Sequence, residues 1–114
     1  MDMNTPASIT VTTGNDVAGH AIMQYLGIVR SIIVRSTGIG RGIIGGLRSL
    51  GGGNIPEYVA VCEEARQHAY QLMIAHAAEL GADAIIAFRY DATEFTQGST
   101  EVLAYGTAVK IRRA

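Results

Sequence analysis

Glu64 and His68 stand four residues apart in a run, 57–80, that holds neither glycine nor proline. On a helix that spacing puts both side chains on one flank, where a carboxylate and an imidazole could share a divalent ion with a neighbouring subunit. Cys62, the only cysteine, lies just upstream and is the one soft ligand available. Cys62, Glu64 and His68 are therefore the candidate metal ligands, and a divalent ion is the candidate cofactor. The inventory is thin: one cysteine, three histidines and four methionines, with no C-x-x-C and no paired histidine step. A four-ligand structural zinc site cannot be built from it in one copy. The plainer reading makes Glu64 and His68 an ordinary exposed helical pair and Cys62 a small buried hydrophobe.

A second chemistry is anion binding. No acidic residue occurs between Asp16 and Glu57, whereas Arg30, Arg35, Arg41 and Arg48 all fall there. Guanidinium forks suit carboxylates and phosphates, and copies of the chain brought together would concentrate them. The plainer alternative is salt bridging to the second half, where eight acids face five bases from Glu57 onward. Gly40-Arg41-Gly42-Ile43-Ile44-Gly45 matches G-x-G-x-x-G. A dinucleotide site also needs a helix directly after the glycines and then a parallel strand ending in an acid. Here Glu57 opens a helix instead, and there is no Gly-Lys-Ser/Thr, so tight backbone packing explains these glycines better. No nucleophile, base and orienting group are spaced to converge, and the adjacent Glu63 and Glu64 point about 100° apart on a helix. The residues lean away from an enzyme. The rival reading is an enzyme or a nucleotide- or anion-binding protein whose site, around Arg41, Arg48, Glu57 and Arg66, is completed between subunits. A purely structural assembly subunit is the third.

At 114 residues, with 48% apolar and 17% charged residues, the chain suffices for one core, so residues 1–114 are read as a single domain. A formal charge of −1 supplies no global field for nucleic acid or an acidic membrane surface. A lone cysteine forms no internal disulfide, and the start Met-Asp-Met-Asn-Thr-Pro has neither the basic nor the apolar region of a secretory signal. No apolar run reaches the roughly 20 residues of a membrane span. A cytoplasmic location is the expectation, with neither nucleic acid nor membrane as partner.

The elements that must position these residues follow from periodicity. Residues Ser8 to Thr13 alternate as a half-buried strand, with Ile9 and Val11 on its apolar side, and Gly14-Asn15-Asp16 turns the chain. Residues 22–35 are rich in β-branched side chains and read as a second strand bent at Gly27. Residues 37–53 hold eight of the fourteen glycines among isoleucines and leucines, which predicts a buried or interfacial, irregular segment. Asn54 and Pro56 are the signature of a helix start, and Gly81 that of a left-handed cap about 24 residues on. Tyr58, Cys62, Ala65, Ala69, Leu72, Met73, His76 and Leu80 form the expected core stripe of this helix. Val59, Tyr70 and Ile74 lie on another flank and predict a second surface in need of a neighbour. Residues 84–90 and 101–111 alternate as two more strands. The expected class is α+β in the order β-β-α-β-β: two hairpins separated by a long helix, giving a mostly antiparallel sheet with the helix on one face.

A family resemblance runs through the same residues. Gly46-Leu47-Arg48-Ser49-Leu50, Ile55-Pro56-Glu57-Tyr58, Glu63-Glu64-Ala65-Arg66-Gln67, Leu80-Gly81-Ala82-Asp83-Ala84-Ile85-Ile86 and the closing run 101–109, in that order, resemble the YbjQ-type family of small bacterial and archaeal proteins. The upstream Tyr25-Leu26-Gly27-Ile28-Val29 fits as well, so the resemblance covers about residues 9 to 111. It implies a dodecin-like subunit in a homo-oligomeric ring, a pentamer, and a label of heavy-metal binding with no catalytic set to carry over. The glycine-rich segment 37–53 departs from the bulkier sequence expected there, and Cys62 as the only thiol fits the metal label poorly. The leading expectation is a ring-forming protein that binds a small ligand or ion at its subunit interfaces, with itself as partner.

Overall fold

The computed structural model describes residues 9–36, 56–96 and 99–114. Four strands and one helix follow in the order β1 (Thr10–Val11), β2 (His20–Ser36), α1 (Pro56–Glu79), β3 (Ala84–Thr96) and β4 (Ser99–Arg113). The fold class is α+β, as expected, with a mixed four-stranded sheet of order β1-β3-β4-β2. The expected first hairpin is overturned. β1 does not pair with β2 but runs parallel to β3 at the far side of the sheet, with Thr10 opposite Ala84 and Val11 opposite Ile85. The alternation of Ile9 and Val11 identifies a half-buried strand, but it carries no information on which neighbour receives it. Two consecutive elements, β3 and β4, do form an antiparallel hairpin, and β2 lies antiparallel on the other side of β4.

Helix α1 starts at Pro56 and is 24 residues long, about 36 Å. Its end is a Schellman motif. Ala82 N–H donates to Ala77 O at 3.0 Å and Gly81 N–H to Ala78 O at 3.0 Å, while Gly81 takes φ +76°, where any side chain is strained. The buried stripe is Ala65, Ala69, Met73 and Ala77, at steps of four. Leu72 and Leu80, placed in the stripe by sequence, are exposed, and Cys62 and His76 are half-buried. Tyr70 and Ile74, read as an outer flank, pack against the core beside Met73. The true stripe is rotated toward Tyr70, because alanines rather than leucines lie under the helix axis. They meet Val102, Ala104 and Ala108 of β4, so small residues face small residues and helix and sheet come close together. Ser31 of β2 donates from its hydroxyl to Ala69 O, fixing the helix to the sheet.

β2 carries a bulge at the predicted bend: the register slips between Tyr25 and Gly27, and Gly27 has φ +110°. A bulge invisible in the sequence lies in β3, between Ile86 and Arg89, with Ala87 at φ +54°. It reverses the alternation. Ile85 belongs to the core under the helix and Ile86 to a second cluster with Ala84 and Val109, after which Phe88 returns to the helix side. Gly106 faces this bulge across β4, where it has no side chain to obstruct it.

Candidate functional site

The Glu64–His68 flank of α1 faces the end of β2. There Arg35 lies between the two: its Nη1 is 3.2 Å from Glu64 Oε1, and its Nη2 approaches His68 Nδ1 at 3.4 Å. Arginine can only donate, so His68 accepts at Nδ1 and carries its proton on Nε2. Both candidate ligands are therefore engaged by a cation, which opposes a second cation at the same place. Cys62 is half-buried and, two residues before Glu64, points to the other side of the helix, and among the described residues no three His, Cys, Asp or Glu side chains are grouped to hold a metal. Replacing Arg35 by alanine is expected to tighten nickel binding to the Glu64–His68 pair about fivefold, the scale of one removed charge at a solvated surface. Titration followed by calorimetry checks it, and an unchanged affinity would show that the guanidinium does not control the pair.

The anion-site residues are only partly brought into view. Arg41 and Arg48 lie outside the described residues, and of Glu57 the structure describes only the helical backbone. Arg66 is on α1 with its guanidinium 5.9 Å from the centre of the Tyr90 ring, and Glu63 stands 4.0 Å away. Tyr90 donates to Arg66 O at 3.3 Å and stacks edge-on against Phe88 at 4.8 Å, which meets Tyr70 in the same way at 5.5 Å. Burial, with the neighbouring Tyr70 adding to it, raises the Tyr90 phenol above its ordinary value against the pull of Arg66. This cluster closes the open flank between helix and β3. It assembles no nucleophile and base.

The face of the sheet opposite α1 is the feature that the sequence reading missed. Register places Tyr25, Ile28, Arg30, Ile32 and Val34 of β2 on it, opposite Val109, Thr107, Tyr105, Leu103 and Glu101 of β4. Ile28, Ile32 and Val34 are 69%, 53% and 58% exposed, and Tyr25 is exposed as well. A strand that is apolar on both faces is ordinarily covered on both; among the described residues α1 covers one face, and Val17, Ile22 and Ile111 cover the other only at its Val109 end. The available signal was the absence of polar alternation in Ile28 to Val34: Ile-Val-Arg-Ser-Ile-Ile-Val presents aliphatic residues at both parities.

The sheet also has two open edges. Among the described residues, the outer side of β2 faces no strand. On the other side, β1 and the turn after it bond to β3 only as far as Phe88, whose N–H donates to Thr12 O at 3.0 Å. From Arg89 to Thr96, β3 has no backbone partner on that side among the described residues. The two open stretches lie at the same height, since Arg89 pairs with Tyr105 and Tyr105 with Arg30, while Thr96 pairs with Ser99 and Ser99 with Ser36. No described helix is long and apolar enough to cross a membrane.

A family model described as “Putative heavy-metal-binding”, YbjQ, matches residues 9–112. A UPF0145 protein of Legionella pneumophila (strain Lens) is 57% identical over 104 residues, 91% of this chain and 99% of the relative. A UPF0145 protein of Paraburkholderia phymatum is 54% identical over 103 residues, 90% of this chain and 93% of the relative. A crystal structure of a protein of unknown function from Pediococcus pentosaceus, of the DUF74 family, is similar with a TM-score of 0.62 and 19% identity, over 91% of this chain and 98% of that one. At that identity the likeness concerns the fold.

Proposed function

The chain belongs to the YbjQ, or UPF0145, family, and from that premise we propose that it works as a homo-oligomeric ring that binds a small ligand or ion between its subunits. The observation that carries the reading is the apolar face from Ile28 to Val34 that no described residue covers, set between two sheet edges of equal height that are open among the described residues. Such edges are ordinarily blunted by proline, lysine or a covering segment, and β2 contains neither proline nor lysine. β2 and β3 both run antiparallel to β4 and so parallel to each other. A rotation about an axis along the strands keeps height and direction. The β3 edge of one copy then lies beside the β2 edge of the next, a heterologous contact that closes into a ring with helices outside and uncovered faces inside. The dodecin-like arrangement and the five copies implied by the family agree with this geometry, and the family description supplies heavy metal as one ligand class.

Hydrogen exchange tests the edge contact. Amides in 30–36 and 89–96 are expected to exchange slowly at micromolar concentration and to lose protection on dilution, because isolated edges leave alternate N–H groups to water. Fast exchange in both stretches at every concentration would refute edge pairing.

A further inference from the structure

We propose that Arg30, Tyr105 and Arg89 form an oxyanion-binding row on the helix-free face, completed when copies of the chain assemble. The proposal rests on the ring reading above and deepens it by naming a ligand class. Tyr105 pairs in register with Arg30 on one side and Arg89 on the other, so the three side chains share one face at one height. Arg30 is exposed and has no carboxylate partner among the described residues. Arg89 is held in place: its Nη1 donates to Thr13 O at 2.9 Å and to Phe88 O at 2.7 Å, which leaves Nη2 and Nε for a ligand. Acids on the same face lie off this row, with Asp91 opposite Leu103 and Glu101 opposite Val34.

Cyclic repetition would place two guanidinium groups per copy in one belt, bounded by Ile28 and Ile32. Like charges gathered beside apolar walls repel at close range, and an anion held by guanidinium forks relieves that repulsion. The shared ligand chemistry is a small oxyanion. It has two possible sources, inorganic phosphate or the oxyanion of a heavy metal, and the second would connect the arginines to the family description.

The test is calorimetric titration of the untagged full chain with phosphate and, separately, with molybdate, with native mass measured on the same sample. Saturable binding by the ring is expected, and Arg30→Gln is expected to weaken it at least about tenfold while the mass stays that of the ring. Arg30→Lys, which keeps the charge but loses the fork, should fall between the two. Tighter binding of one titrant identifies the source. A ring that binds neither, or binds equally after Arg30→Gln, would overturn the site and leave the assembly standing. A monomer would overturn both.

Discussion

Replacing Gly106 by valine is expected to lower stability by about 3 kcal/mol, the upper part of the range for overpacking a tight core. A Cβ at this position would lie 2.5 Å from Ile85 Cγ2, 3.0 Å from Ile86 O and 3.4 Å from Phe88 Cα. Ile85 is fully buried and cannot move freely, and the other two atoms belong to the β3 backbone at its bulge. The bulge turns Ile86 to one face and Phe88 to the other, and it occupies the space that a side chain on Gly106 would need. Valine adds two branches to an already forbidden Cβ, so the bulge must flatten and one of the two isoleucines must leave its cluster. Urea denaturation at fixed protein concentration measures the effect. The concentration must be fixed because assembly would add to the apparent stability. Gly106→Ala should show a smaller loss of about 1–2 kcal/mol. A valine variant with an unchanged midpoint would mean that the bulge and the glycine are not coupled.

Ile32→Lys is expected to reduce the proposed ring to single chains with helix and sheet intact. Ile32 is half-exposed on the face away from α1, between Arg30 and Val34 of the same strand and opposite Leu103. In one isolated chain the substitution exchanges an exposed isoleucine for a solvated lysine, which costs little. In a ring it removes about 2 kcal/mol of apolar burial per copy and places an ammonium group beside the Arg30 belt. The first term alone weakens each contact by roughly thirtyfold. Light scattering after gel filtration reads the mass and circular dichroism the fold. Variants that stay assembled would show that this face is not buried between copies, whereas variants that unfold would show that it is not the free surface described here.

Much of the scaffold was legible because local rules decide it. Pro56 and Gly81 bound the helix where they were expected, and Gly27 bends β2. What was not legible depends on neighbours distant in the chain. The partner of β1 is chosen by β3, which lies more than seventy residues away. The bulge at Ala87 has no glycine or proline to announce it. It inverts the faces of Ile86 and Phe88, which simple alternation places together. Large residues dominate a periodicity count and draw the expected helix stripe toward Leu72, whereas close packing against β4 selects alanines. At the candidate site Glu64 and His68 share one flank of the helix, but nothing in their spacing shows that Arg35, from a distant strand, approaches both. The Arg30–Tyr105–Arg89 row escaped for the same reason, since it exists only through the pairing of three strands.

Native mass spectrometry of the protein purified without a tag and without added metal tests the central claim most directly. The expected spectrum holds one species at five times the mass of the 12.1 kDa chain, a closed ring in which the helix-free faces and strand edges are covered. A single 12.1 kDa chain at micromolar concentration would contradict it, and would leave the apolar face of β2 and both open edges to be explained by a different partner.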